Sequence, residues 1–402
     1  MTETIASEDL LALRMRALGL TDDGPVGAGS PGVTGAGAGT GAASGSGSDR
    51  VAAVARYMLA LQGQDWRSSR WALGVRAASL AGGEVTLADV TAAFNEGRVV
   101  RTWPMRGTIH VVPAEDIGWM QSVAGTRPLA GAAKRREFLG MSDEVLERLV
   151  DVSLQALRGS EGLGRDELSA VWTEAGIEWQ SNWRYHLIWW LCQNGLATFG
   201  PTDGAVEPRL VLAEGWIRNP RTPDDPLAEL AARYAAARGP VRAKDLAWWA
   251  GITASDAKRG LQTATEEGRL ERVQLAETPG AAGALWVPAE LLGASVAVPD
   301  WLLLPSFDEH LLGYTLRDPQ RDPAHFERIV PGRNGMFLAT VVHRGRVVGT
   351  WKKITRKSGG IEVAPLPGAR IDTDALAGEL ARWSAFHGLK PGPIEQADHA
   401  EP

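Results

Sequence analysis

Cysteine occurs once in 402 residues, at Cys192. That excludes an intramolecular disulfide and any zinc site built on several thiolates. The seven histidines are scattered, with no HxxxH or His–carboxylate cluster, so no metal is expected, at His110 or elsewhere. No apolar run approaches the ~20 residues that span a bilayer. The start, MTETIASEDL, is acidic and lacks the charged-then-apolar order of a secretory signal. A soluble, cytoplasmic chain away from membranes is the expectation. Net positive charge is lacking too: 42 Lys/Arg against 48 Asp/Glu give −6. This does not exclude a nucleic-acid partner, because binding depends on where charge sits. The stretch GAGAGTGAASGSG has the glycines of a phosphate-binding loop. It has no lysine in place, no preceding strand and no following capped helix, so it reads as a linker and no cofactor is expected.

What is present is ordinary globular material, 44% hydrophobic and 22% charged, long enough for two to four domains. Asp9–Leu20 has helical spacing. Residues 21–49 are almost wholly Gly, Ala, Ser, Thr and Pro, an insertion unable to bury enough surface to order itself. Helices are expected over Val51–Leu61 and Trp66–Ala78, and Thr86 is placed to cap a further one. The β-branched runs RVVRT and TIHVV, joined by WPMRG, then form a hairpin, the order of a winged helix. Helices followed by paired strands recur twice more, ending near LATFGPTDGAVEPRLVL and near RLERVQLAE with ALWVPAE. The fold class is therefore mainly α with β-hairpins (α+β). Tandem winged-helix modules are expected over 1–125, 126–222 and 223–290, and a β-rich segment with a basic hairpin and a closing helix over 291–402. The end after Lys390 reads as frayed, and no dimerisation helix is evident, so a monomer is expected.

Four blocks stand out: LQGQD at 61–65, RTWPMRGTIHVVPAED at 101–116, LLLPSFDEHLLGY at 302–314 and RVVGTWKK at 346–353. Together they resemble the winged-helix DNA glycosylases of the AlkZ/YcaQ type over about Asp9–His387. The resemblance implies a concave, DNA-sized channel and excision of alkylated, sometimes crosslinked, purines from duplex DNA. It also implies a catalytic Gln–aliphatic–Gln element, here Gln62–Gly63–Gln64, in which Gly63 departs from the aliphatic middle position. A glycine following the last helical residue is read as a left-handed cap. Asp65 then caps the helix from Trp66, and the two carboxamides meet at the bend.

Amides suffice for such chemistry. A purine alkylated at N7 or N3 is cationic and leaves as a neutral base without a general acid. Two carboxamide oxygens can orient water toward C1′ and stabilise positive charge there. The plain alternative is a polar, solvated helix end.

Arg101, Arg106, Thr108 and His110 are candidate DNA contacts on the first wing, with an exposed hairpin as the alternative. In Arg344–Lys357, Arg344, Arg346, Lys352, Lys353, Arg356 and Lys357 are candidates, with Trp351 as a stacking residue. A charged strand edge explains the same run. Asp308 and Glu309 read as loop anchors or partners of Arg317. No aromatic base sandwich stands beside Gln62 and Gln64, so little base extrusion is expected. The competing function is a DNA-binding regulator without catalysis.

Overall fold

Ser46 opens the helix that leads to the site. Its hydroxyl accepts from the Asp49 amide while the Asp49 carboxylate takes the Ser46 amide, a reciprocal cap. The helix Gly47–Met58 therefore starts four residues earlier than its apolar period suggests. The computed structural model describes residues 3–24, 45–204, 206–278, 280–293, 295–354 and 359–397. The glycine-rich stretch 25–44, Arg356 and Lys357 lie outside them. Asp65 caps Trp66–Ala81 through the Ser68 amide, and Thr86 with Asp89 boxes Leu87–Asn95. The architecture is mixed α and β, and each of the three anticipated rounds of helices ends in paired strands.

Three sheets join these pieces. One runs, in spatial order, Leu61–Gln62, Thr108–Pro113, Val99–Met105, Ala197–Phe199 and Leu210–Leu212, so the first and second hairpins share a sheet. The second orders Pro391–Gln396, Gly359–Pro365, Arg346–Lys353, Thr340–His343 and Trp301–Leu304. The end expected to fray is thus a strand, pairing in parallel through Ile394 against Ile361. The third places Thr4–Ile5 alongside Glu271–Leu275, which pairs with Ala284–Val287.

One core unites Met58, Val111, Trp249, Leu303 and Phe386, residues from the first, third and C-terminal parts of the chain. A second core around Trp172, Leu187 and Phe199 takes in Trp103 and Ile109. The strands of the first hairpin therefore lie between two cores and are buried on both faces, which explains their β-branched composition. Among the described residues no helix is long and apolar enough to cross a membrane.

Candidate active site

The segment carrying Gln62 enters through a strained bend. Leu59, fully buried, has φ 63° and ψ −50°, and the Ala60 amide donates to the Met58 carbonyl at 2.7 Å. This is a γ-turn of the rarer, strained form. The positive-φ residue is therefore Leu59 and not Gly63, which is absent from the positive-φ positions. Gln62 does not end a helix. It lies in a two-residue strand opposite His110, because the γ-turn ends the helix three residues earlier and redirects the chain.

Four buried contacts fix this segment. Arg238 donates from Nη1 to the Met58 carbonyl at 3.0 Å and from Nη2 to the Ala60 carbonyl at 2.8 Å, bracketing Leu59. The Gly63 amide donates to the Ile109 carbonyl at 2.8 Å. The Gly63 carbonyl accepts from Arg101 Nε, also at 2.8 Å. A Cβ on Gly63 would lie 3.0–3.2 Å from the backbone of His110 and Val111; glycine permits this close pairing. Arg238 is itself held by Glu309, 2.9 Å from Nε, and the same carboxylate oxygen accepts from Trp249 Nε1 at 2.9 Å.

The two glutamines differ in exposure. Gln62 is 9% exposed and Gln64 is exposed. Arg106 Nη2 donates to Gln62 Oε1 at 3.5 Å and lies 3.4 Å from His110 Nε2. His110 Nδ1 faces the Thr108 carbonyl at 2.9 Å. A carbonyl only accepts, so Nδ1 carries the proton and Nε2 is left to accept from Arg106. Burial, and then the Arg106 charge, hold this imidazole well below its usual range, so it is neutral at pH 7. Arg106 and Gly107 have φ 55° and 66°, as a two-residue hairpin turn of type I′ requires. The Arg106 guanidinium packs 5.0 Å from the Trp248 ring, whose other neighbour is Arg317 at 4.8 Å.

The first-wing candidates are thus not the exposed phosphate contacts expected. Arg101 and His110 are buried, Arg106 is half-buried, and the Thr108 hydroxyl is buried without a partner among the described residues. The cause is that both edges of the wing are covered, by the strand of Gln62 beside Thr108–Pro113 and by Ala197–Phe199 beside Val99–Met105. Asp308 and Glu309 act as the anchors expected and do not pair with Arg317. Asp308 pairs with Arg76 at 2.7 Å and caps the short helix Glu309–Leu312, while Arg317 binds the Leu311 carbonyl instead. The Arg76 charge and its hydrogen bonds outweigh burial and hold Asp308 below the usual carboxylate range.

The basic strand is divided. Arg344, in the turn at its start, pairs with exposed Asp300 at 2.7 Å, and Arg346 donates to the Pro319 carbonyl at 3.0 Å. Neither lines the cavity that opens at Asp65, the residue after Gln64. Trp351, Lys352 and Lys353 do: with Asp65, Arg67 and Trp383 they line a space of about 500 Å³. Lys352 pairs with Glu362 at 2.8 Å, and Lys353 Nζ sits 5.4 Å over the Trp383 ring. Trp351 is half-buried and donates to the Leu304 carbonyl at 2.9 Å, so it supports this wall from within the core.

Sequence reasoning missed two features. Arg238 had no signal, since nothing local distinguishes it from a surface arginine. The helix Ala132–Leu139 had one: AAKRREFL places Lys134, Arg135 and Arg136 in a row, beside an exposed Phe138. Among the described residues no group of His, Cys, Asp or Glu is arranged to hold a metal ion.

With this geometry in place, the family can be assigned. The model of the AlkZ-like DNA glycosylases matches residues 55–386. The chain belongs to that family. It is therefore a DNA glycosylase, a hydrolase of N-glycosyl bonds. The interstrand DNA cross-link repair glycosylase of Streptomyces sahachiroi is 24% identical over 308 residues, covering 74% of this chain and 81% of that protein. The solved structure of the Streptomyces sahachiroi DNA glycosylase AlkZ superposes with TM-score 0.71 at 19% identity, over 98% of this chain and 100% of that one. That likeness concerns the fold.

Proposed function

We propose that this glycosylase excises purines alkylated at N7 or N3 from duplex DNA, with Gln62 and Gln64 as the groups that act on the reacting centre. The observation that carries the reading is the Arg106 guanidinium holding Gln62 Oε1 beside an uncharged His110, two residues from exposed Gln64. An oriented carboxamide dipole without a titrating proton suits a reaction whose leaving group is already charged. Water oxygen bonds to C1′ as the glycosidic bond breaks. The bond electrons neutralise the purine cation, and a water proton passes to solvent. Gln62 orients that water, while Gln64 and the cavity bearing Arg67, Lys352 and Lys353 face the DNA strand.

The relative named for interstrand cross-link repair extends the proposed substrates to bulky adducts and crosslinks. The division into winged-helix modules at 1–125, 126–222 and 223–290 with a C-terminal segment at 291–402, and action as a cytoplasmic monomer, belong to the same reading. The test compares release of 7-methylguanine from duplex DNA by the native protein and by Gln62→Ala/Gln64→Ala. Native release with at least a hundredfold loss in the variant is expected; equal rates would remove both glutamines from the mechanism.

A further inference from the structure

The bonds that tie Arg106 to Gln62 are weak ones. Its contacts to Gln62 Oε1 and His110 Nε2 are long, at 3.5 and 3.4 Å, and its Nε is buried without a partner among the described residues. Burial lowers the Arg106 pKa against the pull of the Glu309 charge, and Glu309 is itself bound to Arg238 at 2.8 Å. None of these residues fixes the guanidinium by a short bond, so the surface it packs against decides where it lies.

That surface comes from the third round of helices. The helix Ala243–Ala250 starts at a cap in which the Arg242 amide donates to Asp245 at 2.9 Å, and it ends at Gly251 with φ 71°. Its last turn reaches both arginines that set the Gln62 segment. The Trp248 ring lies 5.0 Å from the Arg106 guanidinium. The buried Trp249 ring lies 4.3 Å from that of Arg238. The Gly251 backbone is so close that a Cβ there would stand 2.7 Å from Arg106 Cγ. Asp245 of the same helix accepts from the Thr315 amide at 2.9 Å, which places Arg317, two residues on, 4.8 Å from the Trp248 ring. Burial, followed by the Arg321 charge, takes Arg317 down to about 10 despite the opposing pull of Asp245, so it remains a cation at pH 7.

Trp248 differs from its neighbour Trp249 in being 37% exposed, and it lies outside the hydrophobic cores. Core filling therefore does not account for it, whereas an indole face attracts a desolvated cation. We propose that Trp248 is a positioning residue for base release: its indole holds the Arg106 guanidinium against Gln62, so the third round of helices supplies part of the site. The proposal rests on the reading that Gln62 acts on the reacting centre. The sequence concealed it because Trp248 lies far along the chain from Gln62, next to a second tryptophan that serves the core.

The test uses the full chain. In protein labelled with 15N-histidine, the His110 Nε2 resonance reports the Arg106 contact without any catalysis. Trp248→Leu is expected to move it in the direction of Arg106→Met, and Trp248→Phe, which keeps an aromatic face, to leave it near its native position. Single-turnover release of 7-methylguanine at saturating enzyme then reads the consequence. Trp248→Leu is expected to slow release about tenfold and Trp248→Phe by less than about threefold. In the Arg106→Met background, Trp248→Leu is expected to cost less than about twofold more. An unmoved His110 resonance in Trp248→Leu, or a loss of rate that persists undiminished in the Arg106→Met background, would overturn the proposal; an indole that only covers surface or touches DNA gives the persisting loss. Should Trp248→Leu not fold, Trp248→Gln, a helix-compatible side chain for a half-exposed position, takes its place with the same expectations. The excision reading is scored separately. Absence of native release, or a native rate in Gln62→Ala, overturns that reading, and the His110 resonance still decides whether Trp248 holds Arg106.

Discussion

If Arg106 acts by holding Gln62, its contribution must disappear once Gln62 is gone. The perturbation is Arg106→Met, which keeps the stem and removes the guanidinium, combined with Gln62→Ala in a double-mutant cycle on base release. Loss of a dipole aimed at the developing charge costs about 10²–10³ in rate, which sets the expectation for Gln62→Ala. The Arg106 contacts to Gln62 and His110, at 3.5 and 3.4 Å, are long, so they orient more than they bind. Releasing the carboxamide by about 1 Å costs up to about 10²-fold. The Gln62→Ala effect is expected at about 2.7–4 kcal/mol and the Arg106→Met effect up to about 2.7 kcal/mol, with a coupling of about 2 kcal/mol in the cycle. The assay is single-turnover release of 7-methylguanine at saturating enzyme, where a pure binding defect does not register. A phosphate-contacting arginine gives a different result: the effects multiply, the coupling falls below about 0.5 kcal/mol, and the salt dependence of binding weakens by about one unit. That outcome would refute the positioning argument and restore the wing reading of Arg106.

Gly63→Ala sets a Cβ 3.0–3.2 Å from the His110–Val111 backbone and is expected to lower unfolding free energy by about 1–3 kcal/mol; an unchanged urea midpoint refutes the tight pairing. Glu309→Gln leaves Arg238 charged and buried between the Met58 and Ala60 carbonyls. It should cost about 3–5 kcal/mol and slow base release as the Leu59 turn relaxes, whereas a thermal midpoint equal to the native one denies the clamp. Burial also governs the pH response. His186, His310 and His387 are each taken down to about 4 and His110 well below its normal value, against about 6.5 in the unfolded chain. The fold favours their neutral forms, so their stability contribution is complete above about pH 6.5 and is lost as pH falls toward 4. About 2 kcal/mol at His310, and less at the more solvated His186 and His387, is expected to vanish between pH 7 and 5, and urea midpoints that do not fall over this range contradict it. The rate of base release should stay flat from about pH 6.5 to 9, since no carboxamide titrates; a bell-shaped profile in that range points to another catalytic group.

Much of the helical framework was legible because its signals are local. Asp143–Arg158 announces itself by apolar period, and Thr86 and Asp65 are caps that need only their next three residues. The hairpins of the first two rounds were legible for the same reason. The segments that build the candidate site were legible, but their geometry was not. Gln62, His110, Glu309 and Trp351 all fall in the quoted blocks, yet nothing local says that His110 is buried or that Leu59 forms a γ-turn. Those facts depend on Arg238, which lies 180 positions from Met58, and on a strand edge covered by Leu61–Gln62. Pro391–Gln396 failed for a related reason: PGPIEQ has weak strand propensity, and it is strand only because Gly359–Pro365 offers it an edge.

The strain at Leu59 falls next to the proposed catalytic segment. A γ-turn at a buried leucine costs on the order of 1–3 kcal/mol and persists only where the surroundings over-determine it. Here two guanidinium groups and a strand carbonyl make four contacts that hold Met58, Ala60 and Gly63. Those groups come from the third round of helices, the first hairpin and, through Glu309, the C-terminal part. Three of the four blocks that carry the resemblance therefore meet physically at this segment, and the fourth lines the cavity beside it. On the proposed mechanism, such an arrangement places the cost of orienting Gln62 in folding, once, and not in each catalytic cycle, which is what a weak dipolar catalyst needs if it is to act on a bond already primed to break.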